Sequence, residues 1–148
     1  MAFSIVKDSK CTMCLTAVAA GSDAQYTSII DTQNFESCTF LASFGTITSG
    51  AVTSVSIQQD DANATAGMTD LLGSGYTVAD TNDDMGVIVE VIKPTKRYLR
   101  LKISRATQNA VINCVWAIQT GARLTATTHD STTVIGSEQT FSPAEGTA

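Results

Sequence analysis

One histidine, His129, occurs in 148 residues, and it lies in the Thr-rich stretch Ala126–Asp130. Catalytic sites assemble an acid, a base, a nucleophile or a metal in converging geometry, and histidine is the side chain used most often for proton transfer. No nucleophile-elbow sequence accompanies His129 and Asp130. No catalytic residue is therefore assigned, an enzyme is not expected, and His129 reads as a solvated tail residue. Aromatic residues make up only 6 % of the chain. That counts against the stacking platform of a carbohydrate-binding module without removing it as an alternative, and Phe35, Phe40 and Phe44 fall at positions that read as core. Charged residues are also scarce, at 16 % against about 25 % for an average soluble domain. Fewer charges imply that part of the outer surface is covered by other subunits. The net charge is −5 and the isoelectric point about 4.6, which opposes direct nucleic-acid binding, since a phosphate backbone requires a basic face. No apolar run approaches the roughly 18 residues of a membrane-spanning helix, so no membrane partner is expected.

What the chain has in plenty is Thr, Ser, Ala and Val, residues suited to a half-buried pleated surface. Its length suits one domain able to bury roughly 70 % of its unfolded surface. The stretch Ile30–Asp61 carries the strongest pattern. Cys38, Phe40, Ala42 and Phe44 alternate with Thr39, Leu41 and Ser43, and Val52, Val55 and Ile57 are set among Thr53, Ser54, Ser56 and Gln58. This period of two marks strands. With Thr48-Ser49-Gly50 able to turn the chain, the stretch reads as one long β-hairpin.

Short strands are also expected at Phe3–Lys7, Met13–Ala19, Tyr26–Ile30, Tyr76–Ala79, Gly86–Ile92, Arg97–Ser104 and Ala110–Gln119. Weak strand signals follow at Arg123–Thr127 and Thr132–Ile135. Turns are expected at Asp31–Asn34, at Lys93–Lys96 around Pro94, and at Ala106–Asn109. Asp60–Leu72 loses the alternation and reads as a loop of helical character N-capped by Asp61. The expected fold is therefore all-β: one antiparallel β-sandwich or barrel over residues 1–148, jelly-roll-like, with about eight strands. Residues 1–10 read as an N-terminal arm and 121–148 as an extended C-terminal arm. Within that tail, Ser142–Gly146 needs a partner to be ordered. Immunoglobulin-like topology is the alternative, but the single Trp116 follows every cysteine instead of standing between two of them.

Four groups of residues invite chemistry. Cys11-Thr-Met-Cys14 has the spacing of half a zinc site, which needs four ligands. On a strand, residues three apart point to opposite faces, so Cys11, Cys14, Cys38 and Cys114 read as free thiols, a reading that a Cys38–Cys114 contact between two core strands would not disturb. Asp60/Asp61 and Asp80/Asp83/Asp84 lack calcium-loop spacing and read as solvated loops; no metal or other cofactor is implied. Lys7 and Lys10 ahead of Cys11–Ala20 imitate a secretory leader, but Asp8, Thr12 and Thr16 interrupt it. Without a leader, the triplet Asn63-Ala-Thr65 would not meet the glycosylation machinery. The densest charge feature is cationic: Lys93, Lys96, Arg97, Arg100, Lys102 and Arg105, with Tyr98 among them. It can be a solvated sheet face, a nucleic-acid strip, or a patch that docks on an acidic neighbouring subunit. Lys96, Arg97, Arg100, Lys102 and Arg105 are taken as the candidate partner-binding residues.

The chain also resembles a group of small tailed-bacteriophage structural proteins. The shared elements are an I-D-T-x-x-F-E-S opening at Ile30–Ser37, the apolar strand Phe40–Phe44, and a G-x-I-x-x-G turn at Gly45–Gly50. An acidic close at Gln59–Ala62 and a K-R-Y-[LV]-R-L-x-I strand at Lys96–Ile103 follow. Together they cover about half the chain, and the motifs are structural, not catalytic. The resemblance implies a capsid cement or decoration protein, made in the host cytoplasm and carried on the virion surface. It would bind the major capsid protein, bridge capsomers, and pair with itself as a dimer or trimer. It also leaves open a head–tail connector or tail component, or a virion-surface carbohydrate-binding module. Met1–Asp23 and the residues after Gly121 match nothing in that pattern, and the Thr/Ser-rich tail is expected to strap a neighbouring subunit.

Overall fold

The computed structural model describes residues 3–124, 127–140 and 145–146. A single helical turn, α1 (Ile5–Asp8), is capped by the Ser4 side chain. Eleven strands follow among the described residues: β1 (Ser9–Leu15), β2 (Val18–Gly21), β3 (Gln25–Tyr26), β4 (Ile30–Asp31), β5 (Ser37–Ile47), β6 (Val52–Asp60), β7 (Thr69–Asp70), β8 (Tyr76–Val78), β9 (Gly86–Ile92), β10 (Tyr98–Ala106) and β11 (Ala110–Thr120).

They form two antiparallel sheets. Sheet A runs β1–β11–β5–β9, with β2 continuing along β11, and sheet B runs β3–β10–β6–β7, with β4 along β10 and β8 along β6. Three strand positions are thus interrupted pairs (β1/β2, β3/β4, β7/β8), which reduces eleven strands to eight positions, four in each sheet. In chain order these positions fall in A, B, A, B, B, A, B and A. Only the step from β6 to β7/β8 stays within one sheet. This is a jelly roll, an arrangement in which connections cross between two packed sheets. The expectation of an antiparallel sandwich with about eight strands holds.

The Ile30–Asp61 hairpin does not exist. β5 pairs with β11 and β9, whereas β6 pairs with β10, β7 and β8. The turn itself is where it was expected. The Ala51 amide donates to the Thr48 carbonyl at 2.9 Å and Gly50 has φ 83°, a backbone conformation that favours glycine. The chain arches across the sandwich there instead of folding flat. Alternation does not distinguish the two outcomes, because a hairpin and an arch both bury one face of each strand. Ala106–Asn109 makes a second arch, from β10 to β11, and the Thr48 amide donates to the Asn109 carbonyl at 2.9 Å, tying the two together.

Phe40, Phe44, Ile57, Leu99, Leu101, Ile103, Ile112 and Val115 are fully buried between the sheets. On β6 the inward residues are Thr53, Val55 and Ile57, and Val52 points out at 59 % exposure, which corrects its expected place. Three further expectations change. Phe3–Lys7 is not a strand: the first turn is helical and β1 begins at Ser9, so the arm expected over residues 1–10 ends earlier. Asp60–Leu72 holds bends and β7 instead of helix. Thr132–Ile135 is not a strand. Residues 125–126 and 142–144, parts of the segments Arg123–Thr127 and Ser142–Gly146, lie outside the described residues.

Candidate functional site

β10 alternates as expected, with Leu99, Leu101 and Ile103 fully buried in the core. Arg105 continues that inward parity, because odd-numbered residues of β10 all face the opposite sheet. It is 5 % exposed and reaches across the end of the sandwich. Its Nε donates to the Asp23 carbonyl at 2.8 Å, and its Nη1 donates to the carbonyls of Ala19 at 3.0 Å and Ala110 at 2.6 Å. Gly21 makes room for it, since a Cβ there would lie 3.1 Å from Nη2. Burial moves the guanidinium pKa below its usual value, though such a group remains charged at any physiological pH. Arg105 is a latch between the sheets, and the expectation that it docks a partner is corrected.

Arg100 has outward parity, yet it is 8 % exposed. Its guanidinium lies 4.4 Å from the centroid of the Tyr26 ring, and its Nε donates to Gln58 Oε1 at 2.7 Å. Gln58 in turn donates to Asp70 at 2.7 Å, and Lys102 stands 3.7 Å from the same carboxylate. These residues are direct cross-strand neighbours, Arg100 facing Gln58 and Gln58 facing Asp70. Arg100 is therefore also removed from the docking surface. Lys96 pairs with Asp61 at 3.4 Å. Arg97 grips both oxygens of Asp31, at 2.8 and 2.7 Å. Lys96, Arg97, Arg100 and Lys102 lie along the sheet B side of the chain and Arg105 on the other, but each already has an acidic, carbonyl or amide partner within the chain. The outer face of sheet B is an internally satisfied polar network.

The outer face of sheet A is different in kind. Met13 faces Trp116 across β1 and β11, Trp116 faces Leu41 on β5, and Leu41 faces Ile88 on β9. Four large apolar side chains thus cross the whole sheet in one row. At its open end Ile88 is 70 % exposed, and Ile92, on the same face beyond Glu90, is 68 % exposed. The sequence carried this signal. Leu41 and Trp116 lie at outward positions of clear alternators, where a solvated face would place polar residues.

The two edges of sheet A also differ. β1 is covered by the chain's own tail. The Cys11 amide donates to His129 Nδ1 at 3.0 Å and the Met13 amide to Thr133 Oγ1 at 3.1 Å. The Asp130 amide donates to the Cys11 carbonyl at 3.1 Å, and Thr127 Oγ1 donates to the carbonyls of Lys7 and Ser9. His129 is thus a capping acceptor, not a solvated residue, and Thr127–Thr133 strap their own molecule. β9, at the other edge, pairs only with β5 among the described residues.

The remaining chemistry is structural. Asp83 and Asp80 accept from the amides of Ile47 and Gly50, each at 2.6 Å, so this acidic run buttresses the β5–β6 arch. No cluster of three potential metal ligands occurs among the described residues. The four cysteines are free, Cys14 and Cys38 buried and Cys11 and Cys114 partly exposed. Cys38 sits opposite Gln119 and Cys114 opposite Ser43, so the two are separated along the sheet and do not touch. Burial pushes the Cys14 thiol up to about 12 and also raises that of Cys38.

The bond from Arg97 holds Asp31 below the usual carboxylate range, and the Thr132 hydroxyl and amide do the same for Asp130 in the strap. A carboxylate with a depressed folded-state pKa contributes stability that is present above its unfolded value and lost as pH falls through the folded one. Stability is accordingly expected to be level down to about pH 5 and to decline below about pH 4. Asp31→Asn should lose less on acidification than the parent. Urea titrations across that range check both statements.

No family model matches the chain, and no curated protein does. Among solved structures, a TNF, Eiger from S. frugiperda, aligns with it at 9 % identity and a TM-score of 0.38, covering 83 % of this chain and 99 % of that one. The jelly roll rests on the strand order described above.

Proposed function

We propose that the protein is a structural subunit of a bacteriophage particle, a cement or decoration protein that binds the outer shell and bridges capsomers. The observation that carries this reading is the inequality of the two sandwich faces: one polar and internally satisfied, the other crossed by an unbroken apolar row. A monomer with no assembly to join gains nothing from such a face. The sequence resemblance at Ile30–Ala62 and Lys96–Ile103 supports the same role. In it, binding to several shell subunits at once adds to particle stability by mass action and multivalency, with the major capsid protein as partner and the virion surface as location. The rigid core supplies the platform, and the β5–β6 and β10–β11 arches, tied together, hold the shape of one end.

The test is to image particles made with and without this gene product and to count its copies. Hundreds of copies on the shell, with the depleted particles bursting sooner on heating or osmotic shock, is the expected result. Six or twelve copies would move the protein to a connector or tail, and depleted particles as robust as complete ones would overturn the cement role.

A further inference from the structure

We infer that β9, the open edge of sheet A, receives an extended arm of the shell subunit as an added strand, with one apolar side chain of that arm seated between the two sheets. The inference rests on the reading of the protein as a shell-bound subunit and names the chemistry of the segment it takes.

Among the described residues, β9 is the one long edge left unguarded. Natural sheets blunt their edges with short strands, bulges, prolines, lysines or a covering segment. Sheet B ends on both sides in interrupted strands of two or three residues. β1 carries a register shift and is covered by the strap Thr127–Thr133. β9 runs for seven residues in unbroken register with β5 and contains neither lysine nor proline. At the two ends of that pairing, the Lys93 amide donates to the Glu36 carbonyl and the Phe44 amide to the Met85 carbonyl. Odd-numbered residues therefore direct their backbone groups at β5, and the alternation of an antiparallel ladder turns those of Gly86, Ile88, Glu90 and Ile92 outward. An extended backbone matches such a row at every second residue, which is how sheets take up peptide strands.

What lies beside the edge selects the arm. A cavity of about 100 Å³ opens between the ends of the two sheets, lined chiefly by Phe44, Tyr76, Val78, Met85 and Val87. An apolar void of roughly 150 Å³ accepts a benzene, so this one suits a single aliphatic side chain. A residue paired with Val87 points to the same side of the sheet, and that side is inward, because Val87 and Val91 are buried. The arm's side chain opposite Val87 therefore enters the cavity, while those opposite Ile88 and Ile92 lie beside these exposed residues. A second copy's β9 would not fill the cavity, since its own Val87, Val89 and Val91 are packed into its own core. Charge opposes that occupant as well. Asp84 and Glu90 are exposed and belong to none of the ion pairs among the described residues. No lysine or arginine occurs from Asp80 to Ile92, so two such edges repel. An arm with apolar residues at alternate positions and a lysine or arginine near Asp84 or Glu90 complements one.

Backbone hydrogen exchange, read residue by residue on the full chain, tests this with shells purified without the gene product as the probe. In the free chain the amides of Val87, Val89 and Val91 should be protected and those of Ile88, Glu90 and Ile92 should exchange fast. On shells all six should be protected. Ile88→Pro removes an outward donor that β5 does not use, a substitution that edge strands tolerate, and should weaken shell binding about tenfold or more. Ile88→Thr keeps the donor and should stay within about threefold of the parent. Binding to shells with the three outward amides still fast would sink the inference and leave the cement role standing. Equal weakening by the two substitutions would do the same, by pointing to the sheet face instead of its edge. Protection already present in the free chain at about 1 μM would mean that the chain's own tail covers β9. Protection that appears without shells as the concentration rises would assign the edge to a second copy. Either result overturns the inference. A chain that does not bind shells at all would overturn it together with the cement role.

Discussion

Arg105→Ala is expected to lower the stability of the chain by about 3–5 kcal/mol. Three carbonyls, of Asp23, Ala19 and Ala110, receive donors from this one side chain. Leaving a buried polar group without its partner costs about 1–3 kcal/mol, and water entering the gap recovers part of the sum. For a domain of this size the loss corresponds to a fall in melting temperature on the order of 10 °C. Arg105→Lys should fall between the two, because an ammonium keeps the charge but not the fork that meets carbonyls in different directions. Thermal or urea unfolding of the three proteins decides the matter. If Arg105→Ala lost less than about 1 kcal/mol, the latch would be refuted and the residue would be free for partner contact after all.

Phe40→Ala and Leu41→Ala, adjacent in β5, should separate core from surface. Phe40 is fully buried, and its truncation should cost about 3–5 kcal/mol through lost transfer energy and a residual cavity. Leu41 points the other way, into the row between Trp116 and Ile88, and its truncation should cost the monomer under about 1.5 kcal/mol. Denaturant unfolding at a concentration low enough to keep the chain monomeric measures the difference. Comparable losses at both positions would mean that the outer face is part of a core and not a surface.

The strands were legible in the sequence because a period of two writes burial into residue order: Cys38 to Phe44, Leu99 to Ile103, Val115 to Gln119. Which strand lies beside which was not. β5 and β6 flank the four-residue turn Thr48–Ala51 directly, and nothing in their alternation says whether that turn closes a hairpin or an arch. Arg105 could have been placed correctly. It shares parity with Leu99, Leu101 and Ile103, and grouping it with the outward cations ignored that parity in favour of charge. Arg100 could not, since its burial depends on Tyr26, some seventy positions away in sequence and brought alongside β10 by β3. The tail's hold on β1 was equally hidden, because His129, Thr127 and Thr133 act through single atoms against backbone and leave no repeating pattern. The apolar row lay at outward positions the alternation had already assigned, but only the registers of three strand pairs show that its members line up.

The strand order has a consequence for how the chain acquires its shape during synthesis. β11 lies between β1 and β5, and β10 lies between β3/β4 and β6. In both sheets an interior strand is the last to be made. Until residue 120 or so has left the ribosome, β1 and β5 have no strand between them, and the apolar faces of β5 and β6 wait for β10 and β11 to cover them. Pairings so distant in sequence are slow to form, and unpaired edges on an incomplete chain are prone to join other chains. The scarcity of charge leaves those waiting strands with little electrostatic protection, so the nascent chain is most vulnerable just before β10 and β11 emerge.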